Sequence, residues 1–211
     1  MPTQFNRLFL LASSQQGFFT ASQAGKLGYS QQNQAKHVKV GNWQRVSRGI
    51  FRLEHFPSAK NPDLMACYLW ALNQDDEPQG VFSYETALQF HELSDWTGQG
   101  VHMTVPKDFR RHSRPRFPVL LHKEDLDPQD IIKRDGIRLT TPLKTILDLL
   151  FHDYIEQRFL KQAMTQAWER ALVSKREIEK QRFTAAQKAQ VLWLLQLSGI
   201  HDVEVSKRRR V

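Results

Sequence analysis

The sequence predicts an α+β protein in which a small winged helix-turn-helix precedes a mixed α/β domain with a helical C-terminal part. Three observations predict it. Short helical stretches before residue 42 are each punctuated by a capping residue and a glycine, two β-prone runs follow around Arg48-Gly49, and apolar residues keep helical spacing from about residue 142 onward. At 211 residues and 40% hydrophobic content, the chain suits two domains of unequal size, read as residues 1–60 and 61–211.

In the first domain, Phe5, Leu8, Phe9, Leu11 and Ala12 recur at helical spacing after Thr3, and Gly17 stands where a left-handed cap would stop the helix. Thr20 caps a second helix through Ala21, Ala24 and Leu27, ended by Gly28. Ser30 caps a third from Gln31 to about Val40, which closes at Gly41. Two short helices joined by Gly28-Tyr29-Ser30 form the helix-turn-helix pattern. Trp43 to Ser47 and Ile50 to Phe56 then pair as a hairpin, the wing, with Trp43 packed on the helices.

Charge gives this domain a partner class. Residues 1–60 hold eight Lys/Arg against the single acid Glu54, net +7, whereas residues 61–206 hold 18 against 21, net −3. A basic head on a mildly acidic body points to double-stranded DNA as the partner of the head. At about 100° per residue, Gln31, Ala35, Val38 and Asn42 share one arc of the third helix, so Gln32, Asn33, Lys36 and His37 are expected on the opposite face with Lys39 on its flank. Amide forks fit adenine edges in the major groove, and lysines serve guanine edges or phosphates. No carboxylate interrupts that face. In the wing, Arg45, Arg48 and Arg52 are expected to reach the phosphate backbone or a minor groove. These eight residues form the expected DNA-binding set.

The second domain opens with a helix over Asp63–Asn73, a loop over Gln74–Gly80, and a helix capped by Ser83 that runs through Leu88 to Glu92. Strands follow at Val101–Val105 and Phe117–His122, then a hairpin turning at Asp135-Gly136 between Ile131-Ile132 and Ile137-Arg138-Leu139. Thr141-Pro142 starts a helix that buries Leu143, Ile146, Leu147 and Leu150 on one face. An apolar stripe from Ile155 to Leu172 predicts the next helix, Ser174–Arg182 a short solvated one, and Thr184–Leu197 the last, ended by Gly199. Lys207–Arg210 reads as a disordered tail able to meet phosphates.

No catalytic residue, cofactor or metal is expected. The lone Cys67 excludes a thiolate zinc cluster, the eight histidines never stand at ligand spacing, and Gly98-Gln99-Gly100 is a turn without the glycines of a dinucleotide fingerprint. His91-Glu92 with Asp95, and Asp108 near Arg110-Arg111, read as surface groups. One rival reading is a nuclease of restriction-endonuclease type, but residues 61–211 lack the Glu-x-Lys triplet such a centre uses to hold Mg²⁺. Another is a winged-helix regulator with a small-molecule sensor domain. Neither a signal peptide nor an apolar run near 18 residues occurs, which predicts a cytoplasmic protein with no membrane partner.

Leu8-Phe9-Leu10-Leu11-Ala12, Gln16-Gly17-Phe18-Phe19-Thr20-Ala21-Ser22-Gln23-Ala24, Gly28-Tyr29-Ser30 and the wing Trp43-Gln44-Arg45-Val46-Ser47-Arg48-Gly49-Ile50-Phe51-Arg52-Leu53 carry a resemblance. Together they resemble the winged-helix domain of AbiEi-type antitoxins, from type IV toxin-antitoxin and abortive-infection loci. Ser83-Tyr84-Glu85-Thr86-Ala87-Leu88 with His91, Val101 to Pro106, Gly136 to Pro142 and Thr145 to Leu149 are similar to that family's C-terminal domain. The resemblance implies a non-enzymatic repressor of its own operon that binds promoter inverted repeats. Its second domain is then expected to oppose a nucleotidyltransferase-like cognate toxin, directly or indirectly.

Overall fold

The fold is α+β. The computed structural model describes residues 3–206 apart from 99 and 112, so the basic run Lys207–Arg210 lies outside the described residues. Helix α1 (Gln4–Ser13) begins where the Thr3 hydroxyl accepts the Asn6 N–H. Strand β1 (Phe18–Thr20) leads into α2 (Ala21–Lys26) through a capping box in which Thr20 and Gln23 satisfy each other's backbone N–H groups. After the turn come α3 (Gln31–Lys39), capped by Ser30, then β2 (Trp43–Ser47) and β3 (Ile50–Leu53). Gly17, at φ +88°, makes the bend between α1 and β1, and a Cβ there would lie 2.6 Å from the Phe56 ring.

The sequence pattern did not mark β1. Three residues are too short for a period to show, and they become a strand by pairing antiparallel with β3, Phe19 opposite Phe51. The sheet order β1-β3-β2 therefore makes β3 central. One face of this sheet carries Phe19, Trp43, Phe51 and Leu53 into a core with Leu8, Ala12, Ala24 and Tyr29. Phe18 and Ile50, on the opposite face, are buried too, because α4 (Pro62–Trp70) packs against β1 and β3. The wing sheet is thus covered on both sides.

Beyond α4 the chain forms β4 (Val81–Phe82), α5 (Tyr84–Phe90), β5 (Val101–Val105), β6 (Val119–Lys123), β7 (Ile131–Arg134) and β8 (Ile137–Thr140). The five strands form one sheet in the order β6-β5-β4-β8-β7, with β4 parallel to β8 at Phe82 and Leu139. β6 starts after Pro118 rather than before it, since proline brings no N–H to a ladder. Asp135 and Gly136 both take positive φ, 49° and 84°, as a two-residue hairpin of the primed type requires.

The chain packs as two compact units. The first comprises Met1–Val81, Thr104–Leu126 and Lys133–Arg138, and the second Phe82–Met103, Asp127–Ile132 and Leu139–Val211. In the second unit, α6 (Pro142–Phe151) lies against α5, α7 (Gln157–Glu169) and α9 (Ala185–Leu197). With neighbours on several sides, α6 buries Thr145, Asp148 and Leu149 besides the expected Leu143, Ile146, Leu147 and Leu150. Asp148 is held there by Lys144, Nζ to Oδ1 2.7 Å. The short helix α8 (Lys175–Lys180) is not wholly solvated as its alternating charges suggested, because Ile178 is fully buried in the same core. Among the described residues no helix is long and apolar enough to cross a membrane.

Within that unit β5 buries His102, whose ring faces Glu85 at 3.9 Å and lies near Tyr84 and Tyr154. Burial holds the imidazole below its ordinary pKa of 6.5, against the opposing pull of Glu85. The folded state therefore favours the neutral ring, and the unfolded chain binds the extra proton first as pH falls. This contribution to stability is complete above about pH 6.5 and is lost as the pH falls below it. Thermal unfolding from about pH 7.5 down to about 5.5 should show a loss that His102→Gln reduces; superimposable pH profiles for the two proteins would assign the loss to other groups.

Candidate nucleic-acid interface

The orientation of α3 is set by Gln34. Its amide donates to the Ala21 carbonyl at 3.1 Å and to the Tyr29 carbonyl at 2.9 Å, so this polar residue is buried and ties α3 to the start of α2 and to the turn. His37 also turns inward. Its ring stacks on Trp43 at 4.7 Å and 13°, meets Tyr29 edge-on, and bonds through Nδ1 to the Asn42 amide at 3.2 Å. The inner arc is therefore Gln34, His37 and Val38, not Gln31, Ala35, Val38 and Asn42, and the helix is rotated from the expected setting. Apolar count alone places a glutamine outside, whereas two carbonyls waiting for donors draw it inside.

The rotation leaves Gln31, Gln32, Asn33, Ala35, Lys36 and Lys39 exposed. On a helical projection Gln32, Lys36 and Lys39 stand at the centre of the outer arc and Asn33 at its margin. His37 leaves the expected set, since its ring is half-buried and committed to Trp43. A groove of about 450 Å³ runs between α3 and the hairpin, lined by Gln31, Ala35, Val38, Phe51, Arg45 and Arg48 among others. Arg45 pairs across the sheet with Phe51 and so shares the helix-bearing face of β2 with Trp43. Arg48, in the hairpin turn, is exposed at the end of the same groove.

Arg52 is placed differently from its expected role on the backbone of DNA. It alternates with Phe51 and pairs with Phe18, so it lies on the sheet face away from α3. There its Nη2 donates to the carbonyls of Phe56 and Pro57, at 2.8 and 2.7 Å, and its guanidinium stands 5.7 Å from the Phe18 ring centre. It fastens the segment that leaves the wing.

A polar, carboxylate-free helix face and two arginines flank one groove in this unit, and the same stretch of chain carries a family match. Residues 6–53 match the family described as "Transcriptional regulator, AbiEi antitoxin". Over this span the chain is similar to the AbiEi antitoxin regulators. The matched span runs from α1 through the last residue of β3, and so contains the whole helix-turn-helix and the hairpin. The crystal structure of the RV2827C protein from Mycobacterium tuberculosis is similar in fold, with a TM-score of 0.59 and 14% identity over 97% of this chain and 84% of that chain. No curated protein matches the sequence.

Because Gln34 and Gln32 sit two residues apart on opposite sides of α3, substitution separates fold from surface. Gln34→Ala should destabilise the protein by about 1 to 3 kcal/mol, the cost of leaving a buried carbonyl without its donor. Gln32→Ala should change stability by no more than about 0.5 kcal/mol. Urea unfolding of both variants checks this, and equal effects would mean that Gln34 does not orient the helix.

Proposed function

We propose that this chain is a DNA-binding antitoxin of a type IV toxin-antitoxin system that represses its own operon. The observation that carries the reading is the exposed face of α3, without a carboxylate, lying across a groove from Arg45 and Arg48 inside a head of the AbiEi family. In this reading α3 enters the major groove, where Gln32, Asn33 and Lys36 reach base edges and Lys39 reaches the flanking backbone. Arg45 and Arg48 meet phosphates or the adjacent minor groove. The DNA is double-stranded promoter sequence with inverted repeats, and two copies of the head would read the two repeats. The antitoxin function, opposition to a nucleotidyltransferase-like toxin, is carried by the chain beyond residue 60, which contributes to both compact units. The protein acts in the cytoplasm and without catalysis.

Both functions are tested with the full chain. Lys36→Ala should weaken binding to the operon's own promoter by about 1 to 3 kcal/mol, with a far smaller loss on a random duplex. Arg45→Ala should weaken both duplexes alike and reduce the slope of log affinity against log salt by about 0.9. Equal losses for Lys36→Ala on the two DNAs would reassign it to the phosphates. With toxin supplied from an unrelated promoter, Lys36→Glu should still rescue growth while failing to repress; lost rescue would show that antagonism acts through the DNA-binding head.

A further inference from the structure

Between β5 and β6 the chain carries Lys107, Arg110, Arg111, Arg114 and Arg116 against the acid Asp108. This loop belongs to the same compact unit as the winged helix. All five cations are exposed. The backbone beneath them is pinned: Phe109 is buried edge-on to Trp70 at 5.9 Å, and the Trp70 indole N–H donates to the Ser113 carbonyl at 3.0 Å. Arg111 donates to the Leu72 carbonyl at 3.0 Å, and Arg116 donates to the carbonyl of Val46 in the wing at 3.4 Å. Arg48, at the wing tip, and Arg110 and Arg111, from the loop, line one open cleft of about 610 Å³ together with Asn73, Gln79 and Ser113.

We propose that this loop is a second phosphate-binding element, which takes the DNA backbone beside the wing and extends the contact surface beyond the winged helix. The inference rests on the DNA-binding reading of α3. Three guanidiniums, amides and a hydroxyl converge on the cleft, and its lining includes no carboxylate, which is the composition that phosphate oxygens require. Continuity decides the occupant: Arg48 belongs to the groove beside α3 and to this cleft, so a backbone leaving the one enters the other. A braced loop also loses little conformational freedom on binding.

The test uses the full chain with Arg110→Ala/Arg114→Ala; Arg111 and Arg116 stay because they brace backbone carbonyls. Affinity is titrated against salt on a duplex of the operon's own promoter and on a random duplex of equal length. The double variant should reduce the salt slope by about 0.9 for each lost phosphate contact, up to about 1.8, equally on both duplexes. Arg110→Lys/Arg114→Lys should restore most of it, while thermal unfolding of all three proteins stays the same. If the wild type binds and the slope does not move, the loop has no part in DNA binding. A slope that falls for the alanine and lysine variants alike, together with a lower melting temperature, means that the loop was only structural, and again the proposal fails. Unchanged DNA titrations with lost growth rescue would hand the loop to an acidic protein partner instead. A wild type that binds neither duplex overturns the DNA-binding reading itself.

Discussion

The geometry of the groove between α3 and the hairpin depends on one indole. Trp43 meets Phe19 at 4.8 Å, Tyr29 at 5.1 Å, His37 at 4.7 Å and Phe51 at 5.8 Å, so β1, the helix-turn-helix turn, α3 and β3 all close on the same ring. Each such aromatic buries on the order of 150–250 Å² and prefers tilted or offset partners, which makes the cluster both strong and directional. The angle between α3 and the hairpin is therefore set by ring packing, with the Gln34 amide as a polar lock beside it. Gln32 and Lys36 stand at fixed positions relative to Arg45 and Arg48 as a result. A binding surface shared by a helix and a strand needs that kind of support.

The second constraint is the two-sided burial of β3. Ile50 and Phe51 are neighbours in sequence and point to opposite faces, yet both are buried, because helices cover one face and α4 the other. A strand in that position reads as a continuous apolar run rather than an alternating one. Arg52 interrupts the run without facing water fully, since the carbonyls of Phe56 and Pro57 occupy its donors. Its charge thus serves the exit from the wing, and the wing arginines that line the groove beside α3 are Arg45 and Arg48.

Counting charge along the chain hides part of the electrostatic design. Residues 61–206 are net −3, and an average over so long a stretch conceals the loop with Lys107, Arg110, Arg111, Arg114 and Arg116. Those side chains and the cations of the wing gather in one compact unit although some sixty residues separate them in sequence. A count in shorter windows would have found the loop. It would not have found its neighbour, since the adjacency comes from Arg116 reaching Val46 and from the cleft shared with Arg48.

The sequence by itself determined the local units. Thr20, Ser30, Thr141, Ser174 and Thr184 all cap helices through their side chains, the Asp135-Gly136 turn makes its hairpin, and the likeness of residues 6–53 to AbiEi antitoxin regulators is legible in the wing and the turns. Caps, turns and periodicity act over a few residues, so a single sequence displays them. What only the tertiary structure decided were the features made by distant partners: the three-residue strand β1, the inward turn of Gln34 and His37, the burial of Ile178, and the withdrawal of Arg52 from the groove. A buried glutamine and an exposed one look alike on a helical projection. Whether a carbonyl elsewhere in the chain needs its amide is settled only when the chain has folded.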